Sequence, residues 1–301
     1  MKRSITTLLA IGVLAALPAV AGPQSAVIQD APLSPAEVQS LAARIVANQH
    51  RDDQLLDQYE RIEHTWTRKP GANPPVTQET LSRVLPTGTG IMRLPLAAPG
   101  KPANPTAYRD QLAYLAQVLA AAAHPDKAEQ QTLARYARRQ QDRADMVSNV
   151  GNTFQFSWLG REMRDGRRVI KLQMDPNPNF HSLSPLAQVL QHVRAVVWVD
   201  ESSIQVVHLE AQVTTDVWYG AGIIFKVYRG GTIIIDQAEI APGVWEPTGY
   251  KYDIDGRKFL FSYGDHETIE FSQYRLVGPP AQELQAVRNE LNTPAGDPPR
   301  P

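Results

Sequence analysis

An alternation of apolar and polar residues with a period of two runs through most of the second half of the chain and constrains the fold most. It begins at Phe154 and continues, after a turn at Asp165-Gly166, as far as Leu276. The predicted strands are Phe154–Trp158, Ile170–Met174, Ala195–Asp200, Ile204–Thr215, Ile223–Arg229, Thr232–Ile240, Tyr250–Ile254, Lys258–Tyr263 and Thr268–Leu276. Short strands in succession with tight turns between them predict one antiparallel meander.

Two dipeptides in this region, Gly230-Gly231 and Asp255-Gly256, are typical of two-residue hairpin turns. A sheet of about eight strands curls, and one of its faces has to be covered. We therefore expect an α+β fold in which a strongly bent antiparallel sheet forms an open half-barrel, with helices covering the concave face. A sheet bent in this way can enclose an apolar cavity.

The first half of the chain predicts a helix followed by strands. Ser34-Pro35-Ala36-Glu37 has the residues of a capping box, with proline at the first helical position. An apolar stripe at helical spacing follows it. Tyr59–Lys69 alternates apolar and polar residues and predicts a long strand. Val76–Leu96 predicts one or two more strands, interrupted at Pro86-Thr87-Gly88.

We interpret residues 34–278 as one domain with a helical insertion at 104–147, preceded by a flexible lead-in over 22–33. Residues 279–301 contain six prolines and are interpreted as a flexible tail. The second half of the insertion carries a basic face formed by Arg135, Arg138, Arg139 and Arg143. This face is typical of a solvated helix surface; the alternative is a contact with an anionic head group or a partner protein.

The chain starts with the pattern of a secretory signal peptide over residues 1–21. Lys2 and Arg3 are followed by the apolar stretch Leu8–Leu17 and by Ala19-Val20-Ala21, a typical cleavage site. The apolar stretch is well short of the roughly 20 residues that span a bilayer. We therefore expect cleavage near Ala21 rather than a membrane anchor.

The charges of the chain are nearly balanced, with 30 basic and 31 acidic residues, and loss of the signal peptide would leave 28 against 31. Nucleic-acid-binding domains are strongly basic, so nucleic acid is not an expected partner. The chain has no cysteine, which excludes disulfides, thiolate metal sites, a cysteine nucleophile and a lipid-modified N-terminal cysteine. We expect a soluble periplasmic protein that does not span the membrane.

Residues 154–210 contain a set of motifs that resembles a known family. They are the strand end Gly160-x-Glu162, the turn Gly166-Arg167, the strand end at Pro176, the pair Trp198-x-Asp200 and the later Glu210. Together they resemble the outer-membrane lipoprotein-sorting superfamily, which includes the periplasmic lipoprotein carrier and related sensors of acylated or hydrophobic ligands. The segment YERIEHTWTRK also resembles uncharacterised exported bacterial proteins with that domain.

The resemblance covers roughly residues 35–278 and implies a bent antiparallel half-barrel with helices as a lid and an apolar groove for acyl chains. The chain departs from the family in its longer helical insertion and in having no position that matches the residues that gate the carrier's ligand. The resemblance therefore does not imply that this protein carries lipoproteins.

Large apolar residues on the predicted strands are the candidate ligand-binding residues. They are Phe154, Phe156, Trp158, Ile170, Leu172, Trp198, Trp218, Phe225, Phe259 and Phe261. The alternative is that they fill an ordinary core. Trp218 begins the segment Trp218-Tyr219-Gly220-Ala221-Gly222, which we interpret either as a mobile aromatic loop at the mouth of the groove or as a bulge at the sheet edge.

The sequence patterns of known catalytic and nucleotide sites do not occur in the chain. It has no GxSxG or Ser-x-x-Lys set, and its short glycine patterns at Gly88-Thr89-Gly90 and Gly220-Ala221-Gly222 lack the context of a phosphate loop. His208, Glu210 and His266 are the most concrete candidate metal ligands. No known spacing supports them, so no metal, cofactor or catalytic residue is expected.

These observations predict a non-enzymatic periplasmic protein that binds a hydrophobic or acylated ligand, such as a lipid or lipoprotein, in a groove between sheet and helices. The alternative is an envelope interaction or sensor module. In that case the half-barrel is filled by its own side chains, and the protein contacts an envelope protein partner.

Overall fold

The computed structural model describes residues 27–28, 31–68, 77–96, 104–180, 189–219, 225–258 and 261–293. The predicted signal peptide, most of the predicted lead-in and Phe259 lie outside these residues. For Phe225 and Phe261 the structure describes the backbone alone.

The described chain forms thirteen strands and four helices. The strands are β1 Val27–Ile28, β2 Tyr59–Arg68, β3 Thr77–Pro86, β4 Ile91–Pro95, β5 Phe154–Arg164, β6 Arg167–Pro176, β7 Val193–Asp200, β8 Gln205–Val213, β9 Val217–Tyr219, β10 Phe225–Val227, β11 Thr232–Ala241, β12 Val244–Lys258 and β13 Phe261–Leu276. The helices are α1 Pro35–Leu56, α2 Pro105–Ala123, α3 Lys127–Thr153 and α4 Pro280–Asn292. Among the described residues, no helix is long and apolar enough to cross a membrane.

All strands join one antiparallel sheet in the order β1-β5-β6-β7-β8-β11-β12-β13-β2-β3-β4, while β9 and β10 form a side ribbon on β12. The meander predicted for the second half forms the middle of this sheet, and the N-terminal strands β2 to β4 are added to its last strand. The sheet is strongly curled and does not close. The predicted α+β class with a bent, open antiparallel sheet is therefore confirmed.

The hairpin turn predicted at Asp255-Gly256 is wrong. β12 continues through both residues to Lys258, and Asp255 pairs with Gly264 of β13. The imidazole of His266 on β13 lies 3.2 Å from the Asp255 carboxylate. The ladder with β13 continues on both sides of the dipeptide, so long-range pairing overrides the local turn preference.

The hairpin turn predicted at Gly230-Gly231 is also wrong, because β10 pairs with β9 and β12 rather than with β11. The chain leaves the meander after β8, forms the ribbon and returns at these glycines. There the Gly230 N–H donates to the Val213 carbonyl, and the Val213 N–H donates to the Gly231 carbonyl. β11 is thereby placed beside β8.

Helix α1 begins with the predicted capping box. The Ser34 hydroxyl accepts the Glu37 N–H, and the Glu37 carboxylate accepts the Ser34 N–H at 2.7 Å. The apolar stripe of the helix packs on the strands. This first core contains Val38, Leu41, Ile45, Phe154, Ile170, Leu172, Met174, Ala195, Val197, Val199, Ile204 and Val206. The packing fixes α1, and α3 beside it, on one face of the sheet.

Helices α2 and α4 pack on the opposite face at the β3–β4 edge. Val84 pairs with Arg61, whose guanidinium lies 5.4 Å from the Phe271 ring on the α1 face. Leu85, which follows Val84 on β3, therefore points to the opposite face of the sheet. The second core there comprises Leu85, Leu94, Tyr108, Leu112, Leu115, Leu119, Leu284 and Val287. The structure thus adds a helical layer that the sequence pattern did not predict.

The flexible tail predicted over 279–301 is wrong for residues 280–292, which form α4. Leu284 and Val287 are buried, and Leu291 packs beside them, so the helix has an apolar stripe at helical spacing. The Arg83 guanidinium of β3 donates to Glu290 at 2.8 Å and so ties α4 to the sheet. The two prolines at 279 and 280 start the helix rather than disrupt it, because proline is favoured at the first helical position.

Substitution of Val287 tests whether α4 is part of the folded domain. Val287 is 1% exposed, so Val287→Asp buries an unpaired charge and should lower the free energy of unfolding by about 3 kcal/mol or more. Ala286→Asp, at the exposed neighbouring position, should change it by less than about 0.5 kcal/mol. Urea denaturation of both variants measures this. Equal, small effects would contradict a docked helix.

Candidate functional site

A cavity of about 240 Å³ lies between the helices α1 and α3 and the strands β5 to β8, β11 and β12. It begins where the first core ends, at Ile45, which belongs to both. The following turns of α1 line it through Val46, Gln49, Asp53 and Leu56. The first half of α1 is therefore packed tightly on the sheet, whereas its second half leaves a space.

Most of the cavity wall is apolar. Seven of its apolar side chains are only half-buried, although they lie on the helix faces and strands that face each other: Val46, Leu56, Val147, Val150, Phe156, Leu209 and Ile235. Apolar surface that remains accessible between packed elements is typical of a ligand site. We call this part of the wall the apolar end.

Helix α3 contributes to the wall through residues spaced for one helical face. Val147 and Val150 lie three residues apart, and Arg143 lies four residues before Val147, so all three share a face. The Arg143 guanidinium forms an ion pair with the Asp53 carboxylate of α1. This member of the predicted basic face therefore points into the site instead of toward an outside partner.

Two other arginines of that face make local contacts. Arg135 donates to the Gln131 carbonyl of its own helix at 3.3 Å, and Arg139 donates to the Thr89 carbonyl at 3.4 Å. These contacts agree with the prediction of a helix surface.

Five polar residues of the wall are linked by ion pairing, strand pairing or charge effects, and we call them the polar end: Asp53, Arg143, Gln237, Glu246 and Tyr250. Gln237 pairs across the strands with Pro247, next to Glu246. The charges of Asp53 and Arg143 both act on Glu246. The cavity is therefore amphiphilic, with an apolar part and a charged part.

Glu246 is the most unusual residue of the polar end. It is 1% exposed, and its Oε1 atom has no hydrogen-bond partner among the described residues. Burial raises the pKa of its carboxyl group to about 8, the Asp52 carboxylate adds to this effect, and the Arg61 guanidinium opposes it. A buried polar group without a partner is costly, so the Glu246 carboxyl oxygen leaves an unmet hydrogen bond at the cavity wall.

Two further buried charges lie near Glu246. Asp52 is 2% exposed and lies 3.1 Å from the Arg51 guanidinium, and burial raises the pKa of its carboxyl group. Arg61 is 6% exposed, and two of its guanidinium nitrogens lack hydrogen-bond partners within the described chain. The space beneath α1 therefore holds several incompletely compensated charges.

Sequence reasoning missed Glu246 for a structural reason. The pairing of β11 with β12 shifts twice around it, between Asp236 and Gln237 and between Glu239 and Ala241. Such bulges break the strict alternation of faces along a strand and redirect side chains. The available sequence signal was the acidic residue Glu246, which follows Trp245 in a strand of otherwise regular pattern.

Of the ten residues predicted to bind the ligand, Phe156 lines the described cavity. Phe154, Ile170 and Leu172 are buried in the first core, and Trp158 packs at its margin. These four belong to the core next to the cavity, in agreement with the alternative that they fill an ordinary core.

The prediction that Trp198 lines the covered face is wrong. Its neighbours Val197 and Val199 belong to the first core, so Trp198 points to the opposite face. There its indole N–H donates to the Glu162 carboxylate at 2.7 Å, and the Lys171 ammonium lies 4.6 Å from its ring. The residue is buried by charged side chains rather than by helices.

Trp218 lies on the side ribbon and is 54% exposed, with the Lys226 ammonium 3.8 Å from its ring. It is not among the residues that line the described cavity. The glycines that follow it, Gly220 and Gly222, lie outside the described residues, so both interpretations of that segment stay open.

The structure does not bring the candidate metal ligands together. His208 on β8 lies 2.6 Å from Asp236 and 3.1 Å from Glu210. His266 lies on β13, beyond two intervening strands, and contacts Asp253 at 2.5 Å. In the described part of the chain, His208 and His266 each have their own carboxylate partners.

The fold and the cavity together define an open half-barrel with an internal amphiphilic site, and solved structures of bacterial proteins are similar to the chain. One is an outer membrane lipoprotein-sorting protein domain from Vibrio parahaemolyticus, with 10% identity and a TM-score of 0.32, covering 85% of this chain and 100% of that one. Another is a LolA superfamily protein from Nitrosomonas europaea, with 12% identity and a TM-score of 0.30, covering 80% of this chain and 94% of that one. A DUF1329 family protein from Desulfovibrio piger shows 14% identity and a TM-score of 0.28, with 83% and 99% covered.

These similar structures include proteins of the superfamily that the motifs between Phe154 and Glu210 resemble. No protein-family model and no curated protein matches the chain. What the site binds is therefore inferred from its own residues.

The raised pKa of Glu246 predicts a specific dependence of stability on pH. The folded chain keeps this proton up to a pH of about 8, whereas an unfolded glutamate loses it near 4.5. The folded state thus binds more protons between these values, so the free energy of unfolding falls as pH rises from about 5 and levels off above about 8. The decrease in the free energy of unfolding that is attributed to Glu246 is roughly 3–5 kcal/mol.

Glu246→Gln should remove most of that fall, because glutamine does not titrate. Asp142→Asn, at an exposed position on α3, serves as control and should leave the profile of the unmodified chain. Chemical denaturation between pH 5 and pH 9 measures all three proteins. Parallel profiles for the unmodified chain and Glu246→Gln would contradict the assignment.

Proposed function

We propose that this chain is a non-enzymatic periplasmic protein that binds a single-chain hydrophobic ligand in the cavity between α1, α3 and the sheet. One observation carries the proposal. Half-buried apolar side chains line a space of about 240 Å³, and the described residues do not fill it. This supports ligand binding over the alternative of a half-barrel filled from within.

The size of the cavity limits the ligand. An apolar cavity of roughly 150 Å³ accommodates benzene, so about 240 Å³ accommodates roughly ten carbon atoms by the same packing. Burying ten methylene groups contributes about 8 kcal/mol, from which the cost of association is subtracted. Binding through the chain alone is therefore no tighter than about 1 µM.

The proposed location rests on the signal-peptide pattern of residues 1–21. Two of the similar structures are described as lipoprotein-sorting or LolA superfamily proteins, which is compatible with an acylated ligand. A ligand with several long acyl chains exceeds the cavity, so we propose a single alkyl or acyl chain rather than a whole lipoprotein anchor.

Filling the cavity from α3 tests the proposal. Val147→Trp places an indole in the apolar end and should weaken binding of a fluorescent acyl probe at least about tenfold, since it occupies the volume of several methylene groups. Ser148→Trp, at the exposed neighbouring position, adds the same side chain outside the cavity and should leave the affinity unchanged. Fluorescence titration measures both variants.

The proposal also predicts that ligand copurifies with the protein from its own envelope, as detected by native mass spectrometry and organic extraction. Absence of probe binding to the unmodified protein, together with absence of a copurifying ligand, would contradict it. Equal loss of binding in both tryptophan variants would place the probe elsewhere on the protein.

A further inference from the structure

The polar end has the features of a head-group site, and this inference rests on the proposed function. Glu246 lines the cavity, is 1% exposed, and has one carboxyl oxygen without a hydrogen-bond partner among the described residues. A side chain this deeply buried cannot regain a partner from bulk water. A ligand that reaches into the cavity can supply the missing hydrogen bond.

The groups around Glu246 determine which head group fits. The carboxylates of Asp52 and Asp53 raise the negative charge there, and the guanidinium groups of Arg61 and Arg143 oppose it. Arg143, the cation in the wall, is already paired with Asp53. An anionic head group would thus meet a buried acid with no uncommitted cation among the described residues that line the cavity.

A head group with an O–H or N–H avoids this unfavourable contact between an anion and a buried acid. It donates a hydrogen bond to the Glu246 carboxyl oxygen and places no negative charge beside Asp52 and Asp53. The apolar end meanwhile accepts the chain through side chains such as Val147 and Phe156. An amphiphile of this kind satisfies both parts of the wall at once.

We infer that the cavity takes a single-chain amphiphile of roughly ten carbons whose head group is a hydrogen-bond donor, a hydroxyl or an amine, with Glu246 as its acceptor. Anionic amphiphiles of the same length are bound more weakly. Glu246 thereby determines the specificity of the site rather than its affinity for the chain.

Three probes of equal chain length test the inference: 1-decanol, decylamine and decanoate. At pH 9, where the Glu246 carboxyl group with its pKa of about 8 is ionised in the folded chain, the unmodified protein should bind decanol and decylamine at least about tenfold more tightly than decanoate, because decanoate would bury a second negative charge beside the first. Displacement of the fluorescent acyl probe measures all three, and the decanol and decylamine arms distinguish a hydroxyl from an amine ligand.

Two substitutions separate the role of Glu246 from that of the apolar end. Glu246→Gln keeps the shape and an acceptor oxygen but carries no charge, so at pH 9 decanol binding should stay within about threefold while discrimination against decanoate is lost. Glu246→Leu removes the acceptor, so binding of decanol and decylamine should also fall about tenfold. Thermal melting shows whether each variant folds, and Glu246→Gln alone is sufficient if the leucine variant does not.

The outcomes distinguish the two proposals. If the unmodified protein binds all three probes equally and Glu246→Gln changes nothing, the head-group inference is overturned and the proposed function stands. If no probe binds, the proposed function fails and the inference fails with it. Tighter binding of decanoate than of decanol would overturn the inference directly.

Discussion

The structure depends on how α1 lies against the sheet. Its first half inserts Val38, Leu41 and Ile45 into the core of strands β5 to β8, and this contact fixes the helix in place. The second half lies over the bulged strands β11 and β12 and lines the cavity instead of a packed core.

Buried polar atoms at and near the polar end lower the stability of the fold. Buried polar groups are nearly always hydrogen-bonded, yet Glu246 and Arg61 retain unpartnered atoms close to each other in the described chain. An all-apolar wall of the same shape would be more stable. The opposite face of the sheet is different, since there Trp198, His208 and their charged neighbours are fully engaged with one another.

The fold could be predicted from the sequence further than the site could. Alternation from Phe154 to Leu276 defines the meander because each strand has one buried face, and the capping box at Ser34 defines where α1 begins. The hairpins predicted at Asp255-Gly256 and Gly230-Gly231 do not form, because pairing with strands distant in sequence determines the backbone conformation of each dipeptide. Large strand residues such as Leu172 predict burial, but a packed core and a ligand wall have the same sequence pattern. The cavity wall depends on helix–sheet separation and on bulges, and neither has a local sequence signal.

The position of β2 beside β13 has a consequence for how the chain folds. Thr67 and Glu267 are hydrogen-bonded although 200 residues separate them, and in the described chain β3 and β4 join the sheet through the pairing of β3 with β2. Contacts of such high sequence separation slow folding, because the entropy of loop closure is lost before the contact forms. Strands β2 to β4 can therefore join the sheet only when nearly the whole chain is available to fold.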